Sequence, residues 1–224
     1  ALDGDGDRCL LIEATENGAC VIDGDRMADD VARAWDSIGI ERATMAFSIE
    51  TDLSLTSTIN RFGMEIDILE CAVGDRWLSK QLSDDVIVSK SWPPLIGAED
   101  SGHLVLASPH PEIDGEWSLV GDGAATLILQ LLVRARLFNN EKIVPSFQRG
   151  WKKRVSIKGT DRSKWTGDGK LSDAVENIIN NHFNDEKSSF SRKKIDGETS
   201  LLLLRGHVNG IAVSIGIRNS GTEE

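Results

Sequence analysis

Asp3, Asp5 and Asp7 alternate with glycines near the start of the chain, and Arg8 follows at once. Carboxylates this close repel one another, so a fold that crowds them needs a compensating cation. Oxygen ligands suit Mg²⁺ or Ca²⁺ rather than Zn²⁺, and the glycines allow a turn tight enough to bring alternate side chains together. We therefore expect this acidic loop (residues 3–8) to bind a divalent cation. The alternative is a solvated turn, because Asp-Gly pairs are common in turns.

Two other motifs begin in a similar way. Counted from Asp3, an EF-hand loop needs glycine at its sixth position and glutamate at its twelfth, where this chain has Arg8 and Ala14. A phosphatase with an aspartyl nucleophile uses an Asp-x-Asp pair, usually with a hydroxyl residue soon after, whereas Gly6 and Asp7 follow the pair here. The sequence argues against the EF-hand and leaves the phosphatase as a weaker alternative.

A second polar segment, the Glu99 loop (residues 99–103), contains Glu99, Ser101 and His103. Such a loop can bind several sugar hydroxyls, because glutamate accepts hydrogen bonds, serine donates and accepts them, and histidine can do either. A polar turn beside a core strand would have the same appearance, and a lone histidine is more often structural than catalytic. By itself this segment indicates only a candidate sugar-binding loop.

The third candidate site lies near the end of the chain, where a predicted strand is followed by Arg218, Ser220, Gly221 and Thr222. A guanidinium group matches two phosphate oxygens, and the two hydroxyls add hydrogen bonds. Gly221 lets consecutive backbone amides turn toward an anion. We expect this segment, the Arg218 segment (residues 218–222), to bind a phosphorylated small molecule. The alternative is a plain turn at the end of a strand.

The composition is that of an ordinary globular protein: of 224 residues, 40% are hydrophobic and 27% are charged. A formal net charge of −11 argues against nucleic acid as a partner. The absence of a signal peptide and of a long apolar run predicts no membrane partner. Cys9, Cys20 and Cys71 form no Cys-x-x-Cys pair, which indicates reduced thiols in a cytoplasmic protein.

The first part of the chain alternates helix-like and strand-like patterns. Asn17 and Gly18, between two short apolar runs, predict a β-hairpin. The periodicity predicts helices at 25–38, 53–62, 76–82 and 123–138, and strands at 44–49, 65–71, 95–96 and 104–107. This alternation predicts an α/β layered domain with a mainly parallel mixed sheet.

The pattern changes after a polar stretch at residues 139–150, where we place a domain boundary. Beyond it the sequence predicts one helix, at 171–183, and strands at 152–158, 189–195, 200–205 and 211–218. Strands joined by Asp-Gly and Asn-Gly turns indicate a small α+β domain with an antiparallel sheet.

Taken together and in this order, the acidic loop, the Glu99 loop and the Arg218 segment resemble three motifs of the α-D-phosphohexomutases. This family includes phosphoglucomutases, phosphomannomutases and phosphoglucosamine mutases. Asp75, within Gly-Asp-Arg, also resembles a turn in the family's third domain. The resemblance implies that residues 1–23 end the second of four domains, 24–140 form the third and 141–224 form the fourth. The abrupt ends of the chain likewise suggest a piece of a longer protein.

The resemblance also implies a reaction, in which a phosphoryl group moves between O1 and O6 of a hexose through a phosphoserine and a bisphosphate intermediate. The implied Mg²⁺ ligands are Asp3, Asp5 and Asp7, with Arg8 beside the transferring phosphoryl group. The implied sugar-binding residues are Glu99, Ser101, His103 and Asp75. The implied phosphate-binding residues are Arg218, Ser220, Gly221 and Thr222.

The implied partners are hexose phosphates, those of glucose, mannose or glucosamine. A homodimer is a further possible assembly. The sequence departs from the family pattern in three places. Ala98 stands where a second glycine is usual, Glu224 replaces a proline, and the catalytic serine motif of the first domain is absent from the chain. We therefore expect these residues alone to be inactive. A non-catalytic sugar-phosphate-binding protein remains an alternative function.

Overall fold

The computed structural model describes residues 1–88, 93–138, 143–183 and 188–219. The chain divides into two compact units, Ala1–Arg149 and Gly150–Glu224. The strands are β1 (Leu11–Thr15), β2 (Gly18–Ile22), β3 (Arg42–Ser48), β4 (Glu65–Cys71), β5 (Leu95–Ala98), β6 (Leu104–Pro109), β7 (Trp117–Gly121), β8 (Ser189–Lys193), β9 (Leu202–Val208) and β10 (Ile211–Ile217). The α-helices are α1 (Gly24–Ser37), α2 (Leu53–Ser57), α3 (Asp75–Val88), α4 (Gly123–Phe138) and α5 (Lys170–His182).

A five-stranded mixed sheet with the order β4-β3-β5-β6-β7 forms the centre of the first unit. β3 pairs in parallel with β4 and β5, whereas β6 pairs antiparallel with β5 and β7. The parallel strands are joined through helices because a parallel pair needs a long crossover, while shorter loops connect the antiparallel strands. The predicted α/β domain with a mixed sheet is confirmed.

Helices cover both faces of this sheet. One core cluster combines α1 and part of α4 with one face of β3, where Met45 and Phe47 are buried. A second cluster combines Leu78 and Leu82 of α3 with Ala46 on the opposite face. Successive side chains of β3 therefore point into different cores, as the two-residue period of a strand requires.

The β1–β2 hairpin forms a separate two-stranded antiparallel sheet. Thr15 lies opposite Gly18, and Leu11 opposite Ile22, so Glu16 and Asn17 make the turn. The left-handed φ of +131° at Gly18 is one that glycine adopts readily. The predicted hairpin is therefore present, and it follows the acidic loop directly.

The face that α4 buries coincides only in part with its apolar residues. The residues buried on this helix are Gly123, Thr126, Gln130 and Val133. Gln130 Nε2 donates a hydrogen bond to the carbonyl oxygen of Met27 at 3.1 Å, which satisfies this polar group inside the core. In contrast, Ile128, Leu131 and Leu132 are largely exposed. No helix in the described ranges combines the length and apolarity of a membrane span.

The second unit is built on a three-stranded antiparallel sheet with the order β10-β9-β8, accompanied by α5. Leu202, Leu203 and Leu204 of β9 are buried, as expected for the central strand. The predicted α+β domain with an antiparallel sheet is confirmed. The predicted strand at 152–158 is wrong, because the described backbone there pairs with no strand.

Further differences concern the first unit. The helix predicted at 53–62 ends at Ser57, and a 3₁₀ turn at Ile59–Arg61 follows it. Thr58 separates the two elements, and its hydroxyl donates to the carbonyl oxygen of Ser54 at 2.6 Å. Side-chain bonds of this kind compete with a regular helix. The strand β7 was not predicted, and it forms the edge of the sheet beside β6.

Asp29 of α1 is the centre of a buried ionic network. Its side chain is shielded from solvent, forms an ion pair with Arg61, and accepts a hydrogen bond from the backbone N–H of Phe147 at 3.3 Å. Arg26 Nη1 lies 3.9 Å from the same carboxylate, and its guanidinium carbon lies 4.9 Å from the centroid of the Phe147 ring. The network joins α1 to the 3₁₀ turn and to the segment that follows α4.

We expect Asp29→Ala to lower the free energy of unfolding by about 3–5 kcal/mol, because Arg61 would stay buried without its counter-charge. The matched control is Asp67→Ala, which removes an exposed partner of Arg42 at 2.7 Å and should leave the free energy of unfolding nearly unchanged, because exposed ion pairs contribute little. Urea denaturation followed by circular dichroism measures both changes. Equal, small losses in the two variants would contradict a stabilising role for the Asp29 network.

Candidate functional site

The carboxyl ends of β3, β4 and β5 lie at one edge of the sheet, because the three strands run parallel. The chain leaves this edge after Ser48, Cys71 and Ala98. Asp75 and Glu99 follow the second and third of these strand ends. Ligands of open α/β sheets bind outside the carboxyl ends of the strands, so this edge is the candidate site.

The acidic loop brings its three aspartates together. Carboxylate oxygens of Asp3, Asp5 and Asp7 lie within 4.8 Å of one another, with Asp5 exposed and the other two partly buried. Arg8 Nε lies 2.7 Å from Asp3 Oδ2 and 3.5 Å from Asp7 Oδ1. The guanidinium group therefore offsets part of the negative charge that the loop gathers.

Backbone groups of the same loop hold Asp3 in its ionised form. Asp3 Oδ1 accepts hydrogen bonds from the backbone N–H groups of Gly6 at 3.1 Å and Arg8 at 3.3 Å. Partial desolvation acts to raise the pKa of the Asp3 carboxyl, but hydrogen bonding and the charge of Arg8 outweigh it, so the pKa lies below its ordinary value. A carboxylate must be deprotonated to bind a metal, so this environment favours metal binding.

The chemistry of the acidic loop fits a hard divalent cation. Asp3 Oδ2 and Asp7 Oδ1 are shielded from solvent, and no described residue donates a well-aligned hydrogen bond to either oxygen, although Arg8 lies near both. Shielded carboxylate oxygens without donors are costly unless a cation satisfies them. An all-oxygen set of carboxylates suits Mg²⁺, Mn²⁺ or Ca²⁺.

Glu99 is buried, with 7% of the residue exposed, and its carboxylate joins two loops. Its Oε1 accepts a hydrogen bond from the backbone N–H of Gly74 at 2.5 Å, and Ser101 Oγ donates to its Oε2 at 3.3 Å. Asp75 follows Gly74 as the first residue of α3 and is exposed. Glu99 therefore holds the Gly-Asp-Arg turn beside its own loop.

Backbone contacts join the acidic loop to the Glu99 loop. Arg8 and His103 form an antiparallel β-bridge, and the N–H of Cys9 donates to the carbonyl oxygen of Gly102 at 3.1 Å. His103 is buried, and its Nδ1 lies 3.4 Å from Asp7 Oδ2. The structure thus brings the acidic loop, the Glu99 loop and the Gly-Asp-Arg turn that contains Asp75 (the Asp75 turn) together in one candidate site within the first unit.

Arg218 belongs to the second unit, where it follows β10. Its Nη1 lies 3.2 Å from Glu198 Oε1, and about a third of its side chain is exposed. Outside the described residues lie the other predicted phosphate ligands, Ser220, Gly221 and Thr222. Arg218 is therefore the part of the predicted phosphate segment whose surroundings the structure describes.

The loop after β3 was not singled out from the sequence, although it lies at the same edge of the sheet. Thr51 is buried in this loop, and the backbone N–H of Asp52 donates to Oδ2 of the buried Asp25 at 2.9 Å. The position of β3 between β4 and β5 would have pointed to this loop. Strand order depends on long-range pairing, so the local sequence pattern did not contain that signal.

A cavity of about 520 Å³ lies between the hairpin and the carboxyl-terminal part of α4. Leu11, Ile22, Arg134 and Leu137 are among the residues that line it. None of its lining residues belongs to the acidic loop or to the Glu99 loop. The cavity is therefore distinct from the candidate site.

The fold is that of the α-D-phosphohexomutases. The Aspergillus fumigatus N-acetylphosphoglucosamine mutase aligns with a TM-score of 0.62 and 16% identity, over 94% of this chain and 44% of that one. An N-acetylglucosamine-phosphate mutase of the α-D-phosphohexomutase superfamily, solved as a substrate complex, aligns with a TM-score of 0.58 and 16% identity. That alignment covers 92% of this chain and 44% of the other.

In sequence the chain is similar to phosphoglucosamine mutases. That of Neisseria meningitidis serogroup C (strain 053442) is 34% identical over 115 residues, 51% of this chain and 23% of the relative. That of Acidothermus cellulolyticus is 31% identical over 135 residues, 60% of this chain and 25% of the relative. The chain therefore spans about a quarter of the length of these curated relatives. No family model matches it. The fold and these relatives confirm the resemblance to the α-D-phosphohexomutases.

We expect Cys71, beside the candidate site, to resist alkylation in the folded protein. Burial raises the pKa of the Cys71 thiol to about 12, and the carboxylates of Glu99 and Glu70 add to the increase. The thiol therefore stays protonated near neutral pH, whereas the thiolate is the reactive form. Cys20 is exposed and should react with iodoacetamide at least about tenfold faster at roughly pH 8.

Peptide mass spectrometry after timed labelling gives both rates, and labelling in urea is the control in which both cysteines should react. Equal rates for Cys71 and Cys20 in the folded protein would contradict the burial of the Cys71 thiol at the end of β4.

Proposed function

We propose that the chain is part of a Mg²⁺-dependent phosphohexomutase, an isomerase that interconverts a hexose 1-phosphate and a hexose 6-phosphate. The observation that carries this proposal is the backbone pairing of the acidic loop with the Glu99 loop at the carboxyl edge of the sheet. One loop offers carboxylates for a cation, and the other offers polar groups for a sugar. Among glucose, mannose and glucosamine phosphates, the names of the curated relatives favour the glucosamine phosphates.

The acidic loop would act on the reacting phosphoryl group. Catalysis of phosphoryl transfer consists mainly of positioning and of neutralising charge. Asp3, Asp5 and Asp7 would hold Mg²⁺, which supplies positive charge to phosphoryl oxygens when it is bound. Arg8 lies between two of these carboxylates and would turn its remaining N–H donors toward the transferring phosphoryl group.

The Glu99 loop and the Asp75 turn would bind the sugar. Glu99 and Ser101 are close to each other, but the hydrogen bond between them is long at 3.3 Å. A sugar hydroxyl that donates to Glu99 Oε2 could replace it at small cost. His103 lies beside Asp7 and would contact a hydroxyl near the reacting phosphoryl group. Asp75 would also bind the sugar, because it is exposed next to this loop.

Further parts of the proposal follow from the family resemblance. Residues 1–23, 24–140 and 141–224 would be the end of the second domain, the third domain and the fourth domain. The phosphoserine would lie in the part of the complete protein that precedes these residues, so the chain alone would not turn over substrate. We place the complete enzyme in the cytoplasm and propose a bisphosphate intermediate.

We expect the complete protein to interconvert glucosamine 6-phosphate and glucosamine 1-phosphate when Mg²⁺ is present, as followed by ³¹P NMR. Asp5→Asn should weaken Mn²⁺ binding and slow turnover by at least about tenfold each, because it removes a ligand charge. The control is Asp114→Asn, an exposed aspartate in the loop between β6 and β7, which should behave as wild type.

Full activity of Asp5→Asn without added metal would contradict the metal assignment. Release of inorganic phosphate in place of the isomer would instead support the phosphatase alternative. Binding of both isomers without conversion by the complete protein would support a non-catalytic binding protein.

We expect Arg218→Ala to weaken the binding of glucosamine 1-phosphate and glucosamine 6-phosphate alike, by about 1.5–3 kcal/mol, because charged hydrogen bonds to phosphate are lost. The matched control is Arg192→Ala, which removes an arginine of the same unit that is paired with Asp173 and Glu176. Calorimetric titration measures both affinities. A loss for one isomer only, or the same loss in the control, would contradict a shared phosphate-binding role for Arg218.

A further inference from the structure

We propose that Gly123, the first residue of α4, positions the acidic loop for metal binding. The proposal rests on the metal-binding role given above to Asp3, Asp5 and Asp7. Gly123 is not a metal ligand in this scheme. It is a positioning residue, because its backbone binds the loop and because its lack of a side chain lets the loop lie where it does.

A backbone hydrogen bond connects the helix to the loop. The N–H of Gly123 donates to the carbonyl oxygen of Gly6 at 2.9 Å. Other N–H groups in the first turn bind Asp122, the residue before α4: that of Ala125 donates to Asp122 Oδ1 at 2.7 Å, and that of Thr126 donates to the Asp122 carbonyl oxygen at 2.9 Å. The N–H of Gly123 thus fixes the peptide that immediately precedes Asp7.

The close packing at the same point restricts position 123 more strictly than the hydrogen bond does, because it excludes a Cβ atom. A Cβ atom built on Gly123 would lie 2.6 Å from the carbonyl oxygen of Arg8 and 2.7 Å from that of Gly6. Both oxygens belong to the backbone, so neither can rotate away as the end of a flexible side chain could. Any side chain at position 123 would therefore displace the two residues that flank Asp7.

The corner between β7 and α4 supports the same part of the loop at a second point. Gly121, the last residue of β7, leaves room for the ring of His103, which a Cβ atom at position 121 would strike at Nε2. His103 Nδ1 in turn lies 3.4 Å from Asp7 Oδ2. Asp7 is therefore constrained through its neighbours' backbone by Gly123 and through its side chain by His103. Displacement of Asp7 would remove one of three carboxylates from the cluster.

Mn²⁺ affinity, measured by electron paramagnetic resonance on this chain, tests the proposal. Gly123→Ala should bind Mn²⁺ at least about tenfold more weakly than wild type, as expected when a supporting contact of a metal ligand is lost. The control is Gly216→Ala in β10, where the added Cβ would lie no closer than 3.8 Å to its neighbours and affinity should be unchanged. The free energy of unfolding is measured for each variant in chelator.

A purely structural role for Gly123 would lower stability without changing the affinity of the folded fraction, and that result would overturn the proposal. Failure of the wild-type loop to bind Mn²⁺ would overturn both this proposal and the metal assignment. Equal affinities in wild type and in a folded Gly123→Ala variant would overturn the positioning role alone.

A second measurement uses the wild-type chain, so it does not depend on the folding of a variant. Because coupling is reciprocal, a contact that favours metal binding must itself be strengthened by the metal. Saturating Mg²⁺ should therefore slow hydrogen exchange of the Gly123 amide, while the Ala125 amide, which is bonded to the Asp122 side chain, should change little. Exchange of the Gly123 amide at the same rate with and without bound Mg²⁺ would contradict the proposal.

Discussion

Mutual repulsion among the carboxylates of Asp3, Asp5 and Asp7 is the constraint on which the site depends. Their carboxylate oxygens lie within 4.8 Å of one another, and a loop that could move freely would spread them apart. Arg8 contributes a positive charge, backbone N–H groups of the loop bind Asp3, and the Glu99 loop pairs with the residues that follow. Carboxylates that the fold already holds close together lose little further conformational entropy on binding a cation. Holding them together therefore favours cation binding.

Close approach of backbone segments makes this restraint achievable. Gly24 lies against the carbonyl group of Glu99, and Gly102 lies against that of Cys9, at distances that would exclude a Cβ atom. Gly123 has the same relation to the acidic loop. α1 and α4 therefore begin where the two loops need support, and the sheet edge that forms the candidate site is also a tightly packed part of the first unit. The fold and the site consequently depend on the same glycines.

Local patterns predicted the features whose causes are local. The hairpin at Asn17, the extent of α4 and the crowding of the aspartates all follow from neighbouring residues. The buried face of α4 was not predictable, because apolar residues occur around the helix and Gln130 is satisfied by the carbonyl group of Met27, 103 positions away. The alternating pattern at 152–158 resembles a strand, but a strand must pair with a neighbouring strand, and none of the sheets in the described ranges includes this segment. The contact of Gly123 with the acidic loop likewise arises from tertiary packing.

The position of a bound Mn²⁺ ion, located by anomalous X-ray scattering in crystals of the chain, tests the central claim most directly. The geometry predicts an anomalous peak within about 2–2.5 Å of carboxylate oxygens from Asp3, Asp5 and Asp7, with Arg8 turned away from the ion. A peak at a different acidic group, or no peak at the acidic loop at saturating Mn²⁺, would contradict the claim that this loop is built to hold a divalent cation.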